Sequence, residues 1–426
     1  MMNRTRTMLA LTILLALVGA CTQNPIGVFE SLELEREILD DRNLPNNATV
    51  AAMARVDSGS VGRYFVAAGT LFYRTVDDPS SNDDAVARPE WQAGPAPDGA
   101  YTPTSLVAAD LGSGEKIYVV YAADDGTSSG LYEIDPAAET MEARLVFSSD
   151  TSGVASVDRV FTVNDGTEWL LVAVTMSGSG LSRGLYATDN AGNSATAVEG
   201  SEFTPIIGVN AQVGVIDVAT NGTQVAYLTA ASLLVHASGV DTGTAPETRT
   251  PSESGTTLEA GDRYTGTVYA GGALWLADDG GHLYRSTDFG TNWTQSSVSN
   301  GPDGNPLEFT DFGTVPESAE VGAATTLLVG TRGSGYRVMG DVSNATTTTE
   351  LQSPAVDGSN YQASDLAGAA VTFFFTDPVA YTGYPVPTSN ANTPEENDGY
   401  LIFAGSVTNG LWRALSYDGP IQWVRE

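Results

Sequence analysis

Few residues in this chain have the type and spacing that chemistry needs. The densest group is Ser286-x-Asp288-x-Gly290-x-x-Trp293, inside the stretch LYRSTDFGTNW. A hydroxyl two residues from a carboxylate suits an active site. It equally suits a tight turn, because Ser and Asp side chains accept backbone N–H groups and Gly permits positive φ. His236 and His282 are the only histidines. A zinc site needs more ligands at closer spacing. The carboxylates at 122–126, 277–281 and 300–305 lack the D-x-D-x-D-G spacing of a calcium loop, and turn chemistry explains them better. No G-x-S-x-G stands between a strand and a helix, and no phosphate-binding fingerprint has its strand–helix setting. The residues themselves therefore point to no catalytic group, no metal and no cofactor.

The elements that hold these residues repeat. An apolar strand, a short Gly-rich turn and a second strand ending in an aromatic residue, often followed by Arg, recur at 64–74, 117–133, 169–187, 225–236, 273–285, 326–337 and 400–413. The anchors are Tyr73, Tyr132, Tyr186, Val235, Tyr284, Tyr336 and Trp412, spaced 59, 54, 49, 49, 52 and 76 residues apart. A strand-built period near 50 residues is the signature of propeller blades, which cannot bury their faces alone. First strands are expected at 48–56, 104–111, 157–164, 213–220, 265–272, 307–315 and 369–377. Weaker fourth strands are expected at 90–94, 143–149, near 194–200, and at 292–298, 346–352 and 421–426. Composition agrees, with 46 Gly and 20 Pro among 426 residues. The fold class is all-β: a seven-bladed β-propeller of four-stranded antiparallel blades over 47–426. No strand exchange between the chain's two ends is visible.

Two connections are long, 238–262 and 376–399. The second carries Tyr381 and Tyr384 among Pro378, Pro385 and Pro387. Aromatic rings on a proline-stiffened loop suit stacking on a sugar or peptide, so these tyrosines are the ligand-binding candidates. A lid packed on its own blade is the alternative.

The N-terminus reads as an export signal over 1–20. Arg4 and Arg6 precede an apolar run from Met8 to Val18, too short to span a bilayer well. Leu17-Val18-Gly19-Ala20-Cys21 follows, and Cys21 is the only cysteine. The run resembles the bacterial lipobox, which implies lipidation of Cys21, a tether over 21–46 and membrane attachment through the lipid. Thr22 in place of Asp implies the outer membrane, periplasmic or surface side. With one cysteine, no disulfide within the chain holds the fold. Net charge is −33 and Lys116 is the only lysine. Such a field repels nucleic acid and favours cations or basic partners. Solubility, or adaptation to a salty habitat, accounts for it as well.

The Ser286–Trp293 stretch follows the LYR that ends a third strand. It resembles the Asp-box of the sialidase-type (BNR) repeat, with partial echoes at Ser416/Asp418/Trp423, Asp189/Gly192 and Thr75/Asp77. The resemblance implies that Ser286, Asp288, Gly290 and Trp293 are structural and lie away from any catalytic face. Propellers of this shape include glycosidases, sorting receptors and photosystem assembly factors, so fold does not select function. Sialidases use three arginines, a Tyr–Glu pair and an Asp, with an Arg-Ile-Pro motif that is missing here. The leading expectation is a monomeric envelope lipoprotein acting as a non-catalytic binding or scaffold propeller for a protein or glycan. A sialidase-like glycoside hydrolase and a structural envelope protein without a specific ligand are the alternatives.

Overall fold

The computed structural model describes Leu44, 49–58, 61–76, 90–149, 153–177, 183–190, 203–206, 214–251, 262–301, 303–316, 325–340, 342, 351, 366, 368–386, 395–407, 410–416 and 422–425. Cys21 and the whole of 1–43 lie outside these residues. Over Leu44–Glu426, seven antiparallel sheets follow one another along the chain. Six have four strands; the sixth blade has three among the described residues. In every blade the strands pair in sequence order, so each is a simple meander.

The first strands are Ala52–Ser58, Tyr101–Asp110, Val154–Asn164, Val215–Thr220, Tyr264–Ala270, Phe309–Pro316 and Val371–Val386. Each touches the first strands of both neighbouring blades, including blade seven against blade one. The first strands therefore ring the axis. All seven sequence anchors, Tyr73 to Trp412, fall in third strands.

The apolar core divides into seven clusters, and each lies between two adjacent blades. Tyr118, Leu131 and Phe147 of blade two, for instance, pack on Val157, Leu170 and Val172 of blade three. The reason is geometric. Side chains of a strand alternate between two faces, and both faces of a blade meet a neighbour. The arginines that follow the anchors belong to this packing. Buried Arg74 lies between the rings of Tyr64 and Trp91, at 5.2 and 5.1 Å from their centroids, and Arg285 lies over Trp275.

The segment 376–399 is not a loop throughout. The first strand of blade seven runs on to Val386 and its partner begins at Glu395, so the insertion continues the sheet as a two-stranded ribbon. Tyr381 pairs with Gly399 and Tyr384 with Asn397. Pro378 sits where the register slips, between Thr376 and Ala380, so no ladder N–H is lost there. Aromatic and β-branched residues favour the extended form. The side chains of both tyrosines lie outside the described residues.

The seam between blades seven and one is made by side chains and one short backbone contact. Arg55 donates two hydrogen bonds to Asp377, at 2.6 and 2.7 Å, and the Tyr64 hydroxyl donates to the same carboxylate. Thr372 Oγ1 donates to the Val50 carbonyl (2.7 Å), and the Val50 N–H to the Ser406 carbonyl (3.2 Å). Asp377 is fully buried and Arg55 nearly so. Arg55→Met removes the guanidinium from that buried carboxylate and is expected to cost about 3–5 kcal/mol. Urea unfolding checks this, and Arg55→Met/Asp377→Leu is expected to regain part of the loss.

Candidate functional site

An innermost strand has one edge with no partner strand, and its N–H groups need acceptors. Here the neighbouring blade supplies them. Asp217 of blade four accepts the Thr267 N–H of blade five (2.7 Å), and Asp311 of blade six accepts the Phe374 N–H of blade seven (3.0 Å). The Val160 N–H of blade three donates to Ser105 Oγ of blade two (3.3 Å). Arg159 of blade three donates to the Ile216 carbonyl of blade four (2.7 Å).

Bulges aim these groups. The first strands of blades two to seven each slip register near their beginning, at Thr104, Asp158, Ile216, Thr265, Thr310–Asp311 and Thr372. A bulge turns a side chain out of the alternation. Asp158 and Asp311 are bulge residues, and Asp217 follows one. Small residues let the strands approach: a Cβ on Gly313 would meet Phe374 Cβ at 2.6 Å.

Asp217 and Asp311 sit deep in the propeller but are only partly shielded from solvent, and Arg159 is exposed. On first strands, the solvent they meet is that of the axis. Burial raises the carboxyl of Asp217 to about 6, against the pull of the Thr267 and Val218 N–H groups and Arg159. Burial, then the charge of Asp217, raises Asp311 to about 8. The two values belong to the pair. Both carboxyls therefore keep their protons to higher pH than a free aspartate does, in the field of the Arg159 guanidinium.

The Ser286–Trp293 turn lies elsewhere, between the third and fourth strands of blade five. Asp288 accepts the Ser286 hydroxyl (2.8 Å), the Asn292 N–H (2.8 Å) and Asn292 Nδ2 (2.6 Å), and Ser286 accepts the Gly290 N–H (2.7 Å). Partial burial opposes the charge of Asp288, but these bonds outweigh it and hold its carboxyl below the ordinary value. Gly290 has φ +95° and packs on Arg249 and Leu233 of blade four. Trp293 Nε1 donates to the Arg249 carbonyl (2.9 Å). The turn thus fastens blade five to blade four. His236 is held inside blade four by the Tyr227 hydroxyl and the Thr244 carbonyl, and burial lowers its pKa.

The structure thus separates the residues that the sequence singled out. Ser286, Asp288, Gly290 and Trp293 form one turn; Tyr381 and Tyr384 lie on the blade-seven ribbon. Asp217, Asp311 and Arg159 were missed. The available signal was a lone Asp inside each of two apolar first strands, VGVIDVAT and LEFTDFGTV.

No protein-family model matches the chain, and no curated protein matches it. Solved structures do. The structure described as YCF48 bound to D1 peptide is similar at TM-score 0.51 and 11% identity, over 88% of this chain and 95% of that one. The extracellular domain of the one-component system BT4673 from B. thetaiotaomicron is similar at TM-score 0.46 and 13% identity, over 86% of this chain. The match spans 38% of the length of that protein. BBS1N in complex with ARL6DN gives TM-score 0.49 and 11% identity, over 88% and 95% of the two chains. At such identities the likeness speaks for the fold.

Two outcomes follow. Between about pH 4, the unfolded value of an aspartate, and about 8, the upper value of the pair, the folded protein binds more protons than the unfolded chain. The pair's contribution to stability is therefore complete below that window and falls as pH rises through it. Asp311→Asn removes one ionisation and keeps an acceptor for Phe374. Its melting temperature is expected to equal that of the parent at about pH 5 and exceed it by several degrees at about pH 9, read by circular dichroism. Asp288→Ala is expected to cost about 1 kcal/mol, the net worth of a turn's hydrogen bonds, in chemical denaturation.

Proposed function

We propose that this protein is a lipid-anchored envelope protein whose propeller binds a protein or peptide ligand at its axis without catalysis. The observation that carries this reading is the Asp217–Asp311–Arg159 group. It is reachable by solvent, held by backbone bonds between blades, and able to donate, accept and pair with charge. A propeller of similar fold is described as bound to a peptide, which supports the same use of the shape here. The net charge of −33 favours a basic partner and speeds its arrival at low salt. The Cys21 context supports lipidation and outer-membrane attachment. The Ser286–Trp293 turn supports kinship with Asp-box propellers. The ribbon with Tyr381 and Tyr384 offers a second contact surface.

Selection of a displayed peptide library on the full chain tests the reading. Basic peptides are expected to be enriched, with affinity lowered at least about tenfold by Asp217→Asn/Asp311→Asn, the loss of one desolvated charge pair. Enrichment indifferent to that variant would remove the axial site. Turnover of a fluorogenic sialoside would overturn the non-catalytic reading. Palmitate labelling in cells is expected to vanish in Cys21→Ser; labelling that persisted would remove the anchor.

A further inference from the structure

The turn between the second and third strands is built alike in several blades. In blades four, six and seven the residue entering it is Thr229, Thr331 or Ser406. Each hydroxyl donates across the turn, to the carbonyls of Ser232 (3.0 Å), Gly335 (2.9 Å) and Gly410 (3.0 Å). Each backbone N–H spans to the same carbonyl. In blade five the position is Asp278, whose N–H spans to the His282 carbonyl in the same way. Its Oδ1 accepts the N–H groups of Gly280 (3.0 Å) and His282 (2.8 Å), which completes the turn.

The second oxygen of Asp278 has no part in that turn. Oδ2 faces His282 Nδ1 at 3.1 Å and accepts the Tyr284 hydroxyl at 2.8 Å. Asp278 is 0% exposed and His282 5%. Asp262, on the connection entering blade five, adds a third group. One ligand atom from each of Asp262, Asp278 and His282 lies within 4.8 Å of the others. Asp262 is seated closely over the turn, since a Cβ on Gly280 would meet its Oδ2 at 2.3 Å.

An independent observation marks the place. The Tyr264 hydroxyl is buried without a hydrogen-bond partner, on a ring 1% exposed. Its ring meets that of Tyr284 edge-on at 5.8 Å, and Tyr264 pairs with Asp278 across the strands. The nearby charge of Asp278 adds to burial in raising its pKa. A buried orphan hydroxyl near the Asp278 carboxylate marks an absent polar partner.

We propose that Asp262, Asp278 and His282 bind one divalent transition-metal cation of the Zn²⁺ type, with the Tyr264 hydroxyl against it or against a water on it. The donors are the N and O ligands that Zn²⁺ takes. Two carboxylates and a neutral imidazole balance the dication. Ligands 2.0–2.1 Å from a tetrahedral ion stand roughly 3.3 Å apart, close to the His282–Asp278 separation. The ion takes the place of the direct His282 Nδ1–Asp278 Oδ2 contact. It clips the connection entering blade five to that blade's turn, independently of the axial carboxylates.

Calorimetric titration of the full chain with Zn²⁺, in salt that screens the acidic surface, tests the site. One saturating equivalent is expected, and Co²⁺ in its place is expected to show visible d–d bands. Asp278→Thr copies the sister blades, so the fold is kept and the equivalent is lost. Asp262→Asn leaves the Asp278 bonds of the turn in place and is expected to weaken binding at least about tenfold, as loss of a charged ligand does. Absence of a saturating equivalent, or binding unchanged in both variants, would overturn the site in favour of diffuse attraction to surface carboxylates.

Discussion

Apolar burial in this propeller happens between blades and not within them. Each core cluster joins two neighbours, so no blade has an interior of its own. A single blade would expose two apolar faces, and a six-blade arc would expose one at each end. Ring closure is therefore the condition on which every other feature rests. The hydrogen-bonding on the axis follows the same rule: Asp217, Asp311, Ser105 and Arg159 each satisfy a backbone group of the adjacent blade. Charge enters the centre of the molecule because strand edges need acceptors there.

That origin gives the axial pair its character. A carboxylate that accepts a buried N–H is held in place whether or not it is charged. Two of them, on blades four and six with blade five between, both hold their protons above the ordinary aspartate range because of burial, and for Asp311 because of the charge of Asp217 as well. Structural necessity has thus placed a polar, titratable group on the strands that ring the axis. The Ser286–Trp293 turn shows the converse. Its residues have the appearance of chemistry, but their bonds close on one another and on Arg249.

The repeat was legible because its anchors, six of them aromatic, lie buried or half-buried in third strands, spaced 49 to 59 residues apart through blade six. First strands were legible as apolar runs: six of the seven expected positions agree with the structure to within a few residues, and the seventh begins where expected but runs on to Val386. Outer strands were legible in part: the ranges 90–94, 143–149, 292–298 and 421–426 hold Gln92–Ala93, Ala143–Ser148, Thr294–Gln295 and Gln422–Arg425. That of blade four, Glu247–Thr248, was not expected, and that of blade three is Thr204–Pro205, whereas the range near 194–200 lies outside the described residues; two ladder residues are too short for any periodicity. The blade-seven ribbon was read as a loop because three prolines mask its alternation. The axial site was hidden for a different reason. The meaning of Asp217 depends on Thr267 and that of Asp311 on Phe374, 50 and 63 residues away, and one sequence holds no record of that proximity.

The seam between blades seven and one differs from the other six in its entropy. Adjacent blades elsewhere are joined by the chain, and a contact such as Asp217–Thr267 closes a loop of 50 residues. The seam contact between Thr49 and Val407 closes one of 358. With the logarithmic scaling of loop closure, the longer loop costs about 1.7 kcal/mol more. This is the size of cost that a buried, doubly hydrogen-bonded ion pair and its tyrosine can offset. Arg55, Asp377 and Tyr64 therefore act as a clasp in time as well as in space. Contacts so distant along the chain form late, and until they do, the first and last blades each keep an uncovered apolar face.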